Sequence, residues 1–108
     1  MIMQACTDDG TVVRFCGELD IATAPPLQAH LLDLIEGGHR IVIDLAEVAF
    51  MDTSGLEALL ACQRRAEQMG TVLVLRRPPE RVHRLLELTG LTPCFRIEAN
   101  RLTLPGPR

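Results

Sequence analysis

The 108-residue chain contains no tryptophan, no tyrosine and no lysine, and only three phenylalanines. With aromatics at 3%, it offers no platform on which single-stranded nucleic acid could stack its bases. A formal charge of -3 gives no reason to expect a nucleic-acid partner. All 11 basic residues are arginine, which we read as genomic base-composition bias. No apolar run approaches the ~20 residues that span a bilayer, and the start lacks the basic residues and long apolar core of a signal peptide. A cytoplasmic protein without membrane or nucleic-acid partners is therefore expected. Cys6, Cys16, Cys62 and Cys94 include no C-x-x-C pair, so free thiols are the plain reading, with a redox role left open. His30, His39 and His83 have no metal-ligand spacing among themselves or with the cysteines. There is no G-x-S-x-G elbow and no G-x-x-x-x-G-K phosphate loop, and no histidine lies near Ser54 in sequence to serve as its base. Neither a cofactor nor catalysis is expected.

What is present points to a folded α/β unit. Hydrophobic residues make up 47% of the chain, enough for one core and one domain over residues 1–108. The organising stretch is 41–69, IVIDLAEVAFMDTSGLEALLACQRRAEQM. It opens with Ile41-Val42-Ile43 and Leu45, an apolar, β-branched run of strand length. It closes with Leu56, Leu59, Leu60, Ala66 and Met69 at the three- and four-residue spacing of a buried helix stripe. Between them, Asp52-Thr53-Ser54-Gly55 crowds polar oxygens at a helix start. Ser54 with Glu57 fits a capping box, which leaves Thr53 just outside the helix, beside Asp52, with its hydroxyl toward solvent. Backbone N–H groups and the positive end of the helix dipole would face an anion placed there.

The rest of the chain alternates in the same way. Met1–Cys6 and Thr11–Cys16 predict two strands around an Asp8-Asp9-Gly10 turn, hence an antiparallel hairpin. Thr23 is the expected cap of a first helix, with Pro25 and Pro26 in its first turn. Leu27, Leu31, Leu34 and Ile35 form its stripe, and Gly37-Gly38 its end. After Gly70, Thr71–Leu75 reads as a strand buried on both sheet faces. Pro78-Pro79 open a third helix with Val82, Leu85 and Leu86 inward and Gly90 as its stop. Phe95–Ile97 and Leu102–Leu104 are short strand-like pieces. Val48-Ala49-Phe50-Met51 has two readings, an exposed apolar loop that anchors a partner or a segment tucked into the core. Arg64-Arg65 and Arg76-Arg77 read as solvated faces, with partner contact as the alternative. Strand–helix alternation predicts a mixed, mostly parallel sheet of four to five strands with helices packed to one side.

Two blocks carry a resemblance. DLAEVAFMDTSGLEALL is similar to the central motif of the STAS domain, in particular of bacterial anti-sigma factor antagonists, and Gly17-Glu18-Leu19-Asp20-Ile21-Ala22-Thr23-Ala24 resembles that family's G-E-L-D-x-x-T-A signature. The resemblance runs from about Val12 to Leu91, and the domain core from about residue 11 to 91. It implies a single STAS domain whose third helix lies beside the central one. It also implies that Thr53 accepts a phosphoryl group from an anti-sigma factor that is also a serine/threonine kinase, with Ser54 as second choice. Many characterised members carry Ser where this chain has Thr53. The unmodified form would bind that partner and release sigma factor; a phosphatase would restore it. Asp20, Thr23, Asp52, Thr53, Ser54, Gly55 and Glu57 are the implied partner-binding residues. STAS-like subunits also serve lipid-transport ATPases and scaffold stress-signalling complexes, the alternative reading. A free-standing chain argues against the transporter-attached forms.

Overall fold

In a computed structural model, which describes residues 1–7 and 10–98, β1 (Ile2–Thr7) and β2 (Gly10–Phe15) pair antiparallel as expected. Asp8 and Asp9 of the expected turn lie outside the described residues, as do Leu102–Leu104. The remaining elements in chain order are β3 (Gly17–Leu19), α1 (Ala24–Glu36), β4 (Ile41–Asp44), β5 (Val48–Met51), α2 (Thr53–Met69), β6 (Leu73–Arg76), α3 (Glu80–Thr89), a 3-10 turn (Thr92–Cys94) and β7 (Arg96–Glu98).

Five strands form one sheet in the order β1-β2-β4-β6-β7, parallel except for β1. Their period-two alternation decides which face is covered. Val13, Phe15, Ile41, Ile43, Leu73 and Leu75 are buried and join Leu27, Leu31 and Ile35 of α1 and Leu56, Leu59, Cys62 and Ala66 of α2 in one core. The other face stays open: Val12, Val42 and Val74 are only half-buried. The reading of β6 as buried on both faces is thus corrected, because α1 and α2 share one side of the sheet. Met69, expected in the α2 stripe, is exposed, while Cys62 and Gln63 are buried. The third helix does not sit chiefly beside α2 as the resemblance implied; α3 packs against β5 and the 3-10 turn, with Val82 and Leu86 inward.

A second, two-stranded sheet was not foreseen. β3 and β5 pair parallel, Leu19 opposite Met51. Val48–Met51 is a short strand, buried at both ends and exposed in the middle, where its register with β3 shifts by one residue. Val48 and Met51 enter the core, and Ala49 and Phe50 face outward.

Candidate functional site

The β3–β5 register places two strand-to-helix turns side by side. Leu19 lies opposite Met51, so Asp20 and Asp52 each occupy the next residue along. The Asp52 amide donates to the Leu19 carbonyl at 3.2 Å, and the Gly17 amide to the Glu47 carbonyl at 3.1 Å. The two blocks found in the sequence are thereby tied backbone to backbone.

The first turn is stapled by its own side chains. The Asp20 carboxylate accepts from the Ala22 amide at 3.0 Å and the Thr23 amide at 3.2 Å. The Thr23 hydroxyl accepts from the Asp20 amide at 2.9 Å and donates to the Glu18 carbonyl at 2.7 Å. Thr23 occupies the cap position of α1, but its side chain caps nothing. A cap oxygen normally accepts from the second or third helical amide, and here those residues are Pro25 and Pro26, which have none. The hydroxyl therefore turns back to hold the strand end.

The second turn is capped by Asp52. Its carboxylate accepts from the Ser54 amide at 2.9 Å and the Gly55 amide at 3.4 Å. Ser54 is not the cap and forms no capping box with Glu57, because the third helical residue is Gly55. Asp and Ser cap about equally well, and a carboxylate gains further from the positive end of the helix dipole. Thr53 moves from outside the helix to its first residue, where it is exposed; Asp52 and Ser54 are half-buried. The Ser54 and Gly55 amides that seemed open to an anion already serve Asp52. Gly55 is buried, and a β-carbon there would lie 2.7 Å from Leu19 Cγ and 3.0 Å from Met51 Cγ. It lets the helix start approach β3, a packing role rather than a surface one.

Between α1 and the start of α2 runs a groove of about 360 Å³. Ser54 and Glu57 line it from α2, and Ile21, Pro25 and Gln28 from the facing turn and helix. Small residues open it: Ala24 on one side, Ala58 and Ala61 on the other. Ile21 at 77% and Phe50 at 48% are unusually exposed for large apolar residues. The groove brings together Ser54 and Glu57 of the expected partner-binding residues; Asp20 and Thr23 are held in their own turn. Among the described residues no cluster of histidine, cysteine, aspartate or glutamate could hold a metal ion.

One polar cluster escaped the sequence reading. Asp44, at the end of β4, is almost fully buried, and Arg14 and Arg77 both pair with it, Arg14 at 3.6 Å. Burial raises its carboxyl pKa, but the Ala46 amide and the two guanidinium groups outweigh that and hold it below the ordinary value. Arg76 pairs with Glu98 at 2.7 Å. The Arg76-Arg77 pair is therefore built into the sheet end instead of forming a purely solvated face. Arg77 even adopts a left-handed φ of 51°. The signal was weak because Asp44 and Arg77 stand 33 residues apart. Burial pushes the Cys62 thiol up to about 12, while Cys6 and Cys94 are exposed.

Comparison with known proteins places the chain among relatives. Residues 2–102 match the model of the STAS domain. The chain is 34% identical to the anti-sigma-B factor antagonist of Bacillus subtilis over 87 residues, 81% of this chain and 80% of that one. It is 35% identical over 85 residues to the anti-sigma-B factor antagonist of Staphylococcus epidermidis, covering 78% and 79% of the two chains. Among solved structures, an anti-sigma factor antagonist from Mycobacterium paratuberculosis superposes with a TM-score of 0.77 at 29% identity, over 91% of this chain and 84% of that one.

Proposed function

The chain belongs to the STAS domain family, and we propose that it is an anti-sigma factor antagonist that works by phosphorylation-controlled partner switching. The observation that carries this reading is the setting of Thr53: an exposed hydroxyl on the first residue of α2, between the capping carboxylate of Asp52 and the groove edge at Ser54. The relatives named above are anti-sigma-B factor antagonists, and this chain is read the same way, as a regulator without catalysis of its own.

Unmodified, the start of α2 and the groove beside it dock on an anti-sigma factor, with Ile21 and Phe50 as apolar contacts and Glu57 at the rim. The partner is also the kinase. It binds ATP; the Thr53 oxygen attacks the γ-phosphorus, ADP departs, and the hydroxyl proton passes to a base on the partner. The product carries about -1.5 to -2 charges at neutral pH, one residue from Asp52. Asp52 already holds the amides that would best receive that charge, so the phosphate faces outward into the interface. A loss of ~3 kcal/mol in binding weakens the complex more than a hundredfold, enough to release the partner. A phosphatase restores the binding form.

The test is intact mass after incubation with ATP and a kinase-type anti-sigma factor from the same genome. One added phosphate that is lost in Thr53→Ala supports the reading. Loss only in Ser54→Ala moves the acceptor by one residue. No phosphate on a folded wild type with any such kinase refutes the switch.

A further inference from the structure

Strand β1 forms one edge of the five-stranded sheet, and its bonding phase shows at Met1, the residue just before it. Met1 and Cys16 exchange two bonds, the Cys16 amide donating to the Met1 carbonyl at 2.8 Å and the Met1 ammonium to the Cys16 carbonyl at 2.9 Å. In an antiparallel ladder such doubly bonded pairs alternate with pairs that share no bond. Met3 with Arg14 and Ala5 with Val12 are thus the next doubly bonded pairs. The Thr11 amide, pointing the other way to Arg40 at 2.9 Å, agrees with that phase. It follows that Ile2, Gln4 and Cys6 aim their backbone N–H and C=O groups outward, and none of these backbone groups meets a partner among the described residues, while the Gln4 side chain meets His30 at 2.6 Å.

Edges of this kind are normally blunted by charge, proline or a bulge. The opposite edge follows that rule, since β7 carries Arg96 and Glu98. β1 does not. Its sequence IMQACT has no charge and no proline, and its register with β2 is unbroken. Met3, Gln4, Ala5 and Cys6 are all exposed.

We infer that β1 is a self-association edge at which a second copy of this chain adds antiparallel to form one continuous sheet. The register follows from the outward groups. They are spaced two residues apart and centred on Gln4, so a two-fold axis through Gln4 sets Gln4 opposite its copy and Ile2 opposite Cys6. All outward N–H and C=O groups of both strands are then paired, and no like charges oppose each other. On the open face Met3, 44% exposed, comes opposite Ala5 of the other copy, where it adjoins the concavity lined by Val12 and Arg14. Such a contact is isologous and closes at two copies, so it produces a dimer and not a fibre. It uses none of the residues assigned to partner switching.

The experiment is sedimentation of the full chain, with two obstructing variants. Gln4→Pro removes the amide on the axis, and the fold tolerates it because that amide bonds nothing within the sheet. Gln4→Lys sets two like charges opposite each other. The wild type is expected at twice the 11.9 kDa chain mass, and both variants, with unchanged circular dichroism, at the single mass. A third variant reads the register: Ile2→Cys places a thiol opposite the native Cys6 of the other copy, at the Cα separation of roughly 5.5 Å that a disulfide accepts. It should give a covalent dimer on mild oxidation, lost when Cys6→Ser is added. A monomeric wild type overturns the inference, whatever foreign strand the edge then accepts. So does a dimer that survives both Gln4 substitutions, or an Ile2→Cys chain that cross-links no more than the wild type.

Discussion

Gly55, at the start of α2, lies directly against Leu19 at the end of β3. A β-carbon on Gly55 would stand 2.7 Å from Leu19 Cγ and 3.0 Å from the Leu19 carbonyl oxygen, closer than such atoms approach without a shift. This contact and the bond from the Asp52 amide to the same carbonyl hold the two strand-to-helix turns together. Thr53 is positioned by packing as much as by its own helix.

Gly55→Ala should therefore cost about 2 kcal/mol of stability, in the range of overpacked cores, although alanine is the better helix former. Urea unfolding checks the figure. A variant within a few tenths of wild type would mean that α2 slides away from β3 without penalty, and the proposed rigidity of the site would fail with it.

Asp52 caps α2, so Asp52→Ala should lower stability by about 1 kcal/mol, while Asp52→Asn, an equally good cap, should stay close to wild type. The parallel pair separates capping from charge. Ser54→Ala should change stability by less than Asp52→Ala, contrary to the capping box read from the sequence. Thermal melts of the three variants side by side decide the point.

Asp44 makes the fold sensitive to acid. Its carboxyl is held below the ordinary value of 3.8, so the ion pairs with Arg77 and Arg14 contribute stability above that pH and lose it as pH falls through the lower folded value. Both arginines are partly solvated, 35% and 44% exposed, which limits the loss for Asp44→Asn at neutral pH to about 1–3 kcal/mol. Denaturant midpoints of the two chains should differ at pH 7 and converge as the pH falls below the ordinary carboxyl value of 3.8. A constant gap would show that Asp44 acts through packing alone.

The pattern of what was legible follows from the same contacts. The long elements announced themselves: α1 and α2 repeat Leu27, Leu31, Ile35 and Leu56, Leu59, Ala66 at helical spacing, and Ile41–Ile43 has no competing reading. β3 and β5 did not, because three- and four-residue strands offer too few positions for a period, and they are strands chiefly by virtue of each other. The cap of α2 was misread by two residues because Asp52 and Ser54 are both good caps; Gly55, which excludes a capping box in the third helical place, was the available clue. Thr23 holds the expected cap position, but the absence of a cap bond was hidden because the consequence of Pro25 and Pro26 lies in the amides they lack. Asp52, Thr53 and Ser54 stood out as candidates in the sequence, and the groove beside them did not, since its walls, within residues 21–28 and 54–61, are separate stretches of the chain.

Thr53 provides the last prediction. An acidic side chain at the first helical residue gains roughly 0.3–1 kcal/mol from the dipole, offset here by the neighbouring Asp52 charge. Thr53→Asp should thus fold with a melting temperature near that of the wild type, as should Thr53→Val. Binding should divide them. Thr53→Val keeps the shape and lacks charge, so its affinity for the anti-sigma factor should fall by less than a few-fold. Thr53→Asp carries one charge where phosphate carries nearly two, and should lose at least tenfold, about 1.4 kcal/mol. Calorimetry with the purified partner measures both. If Thr53→Asp binds as tightly as wild type while genuine phosphorylation still abolishes the complex, the switch acts through the bulk of the phosphate. If neither weakens binding, the interface lies elsewhere on the molecule.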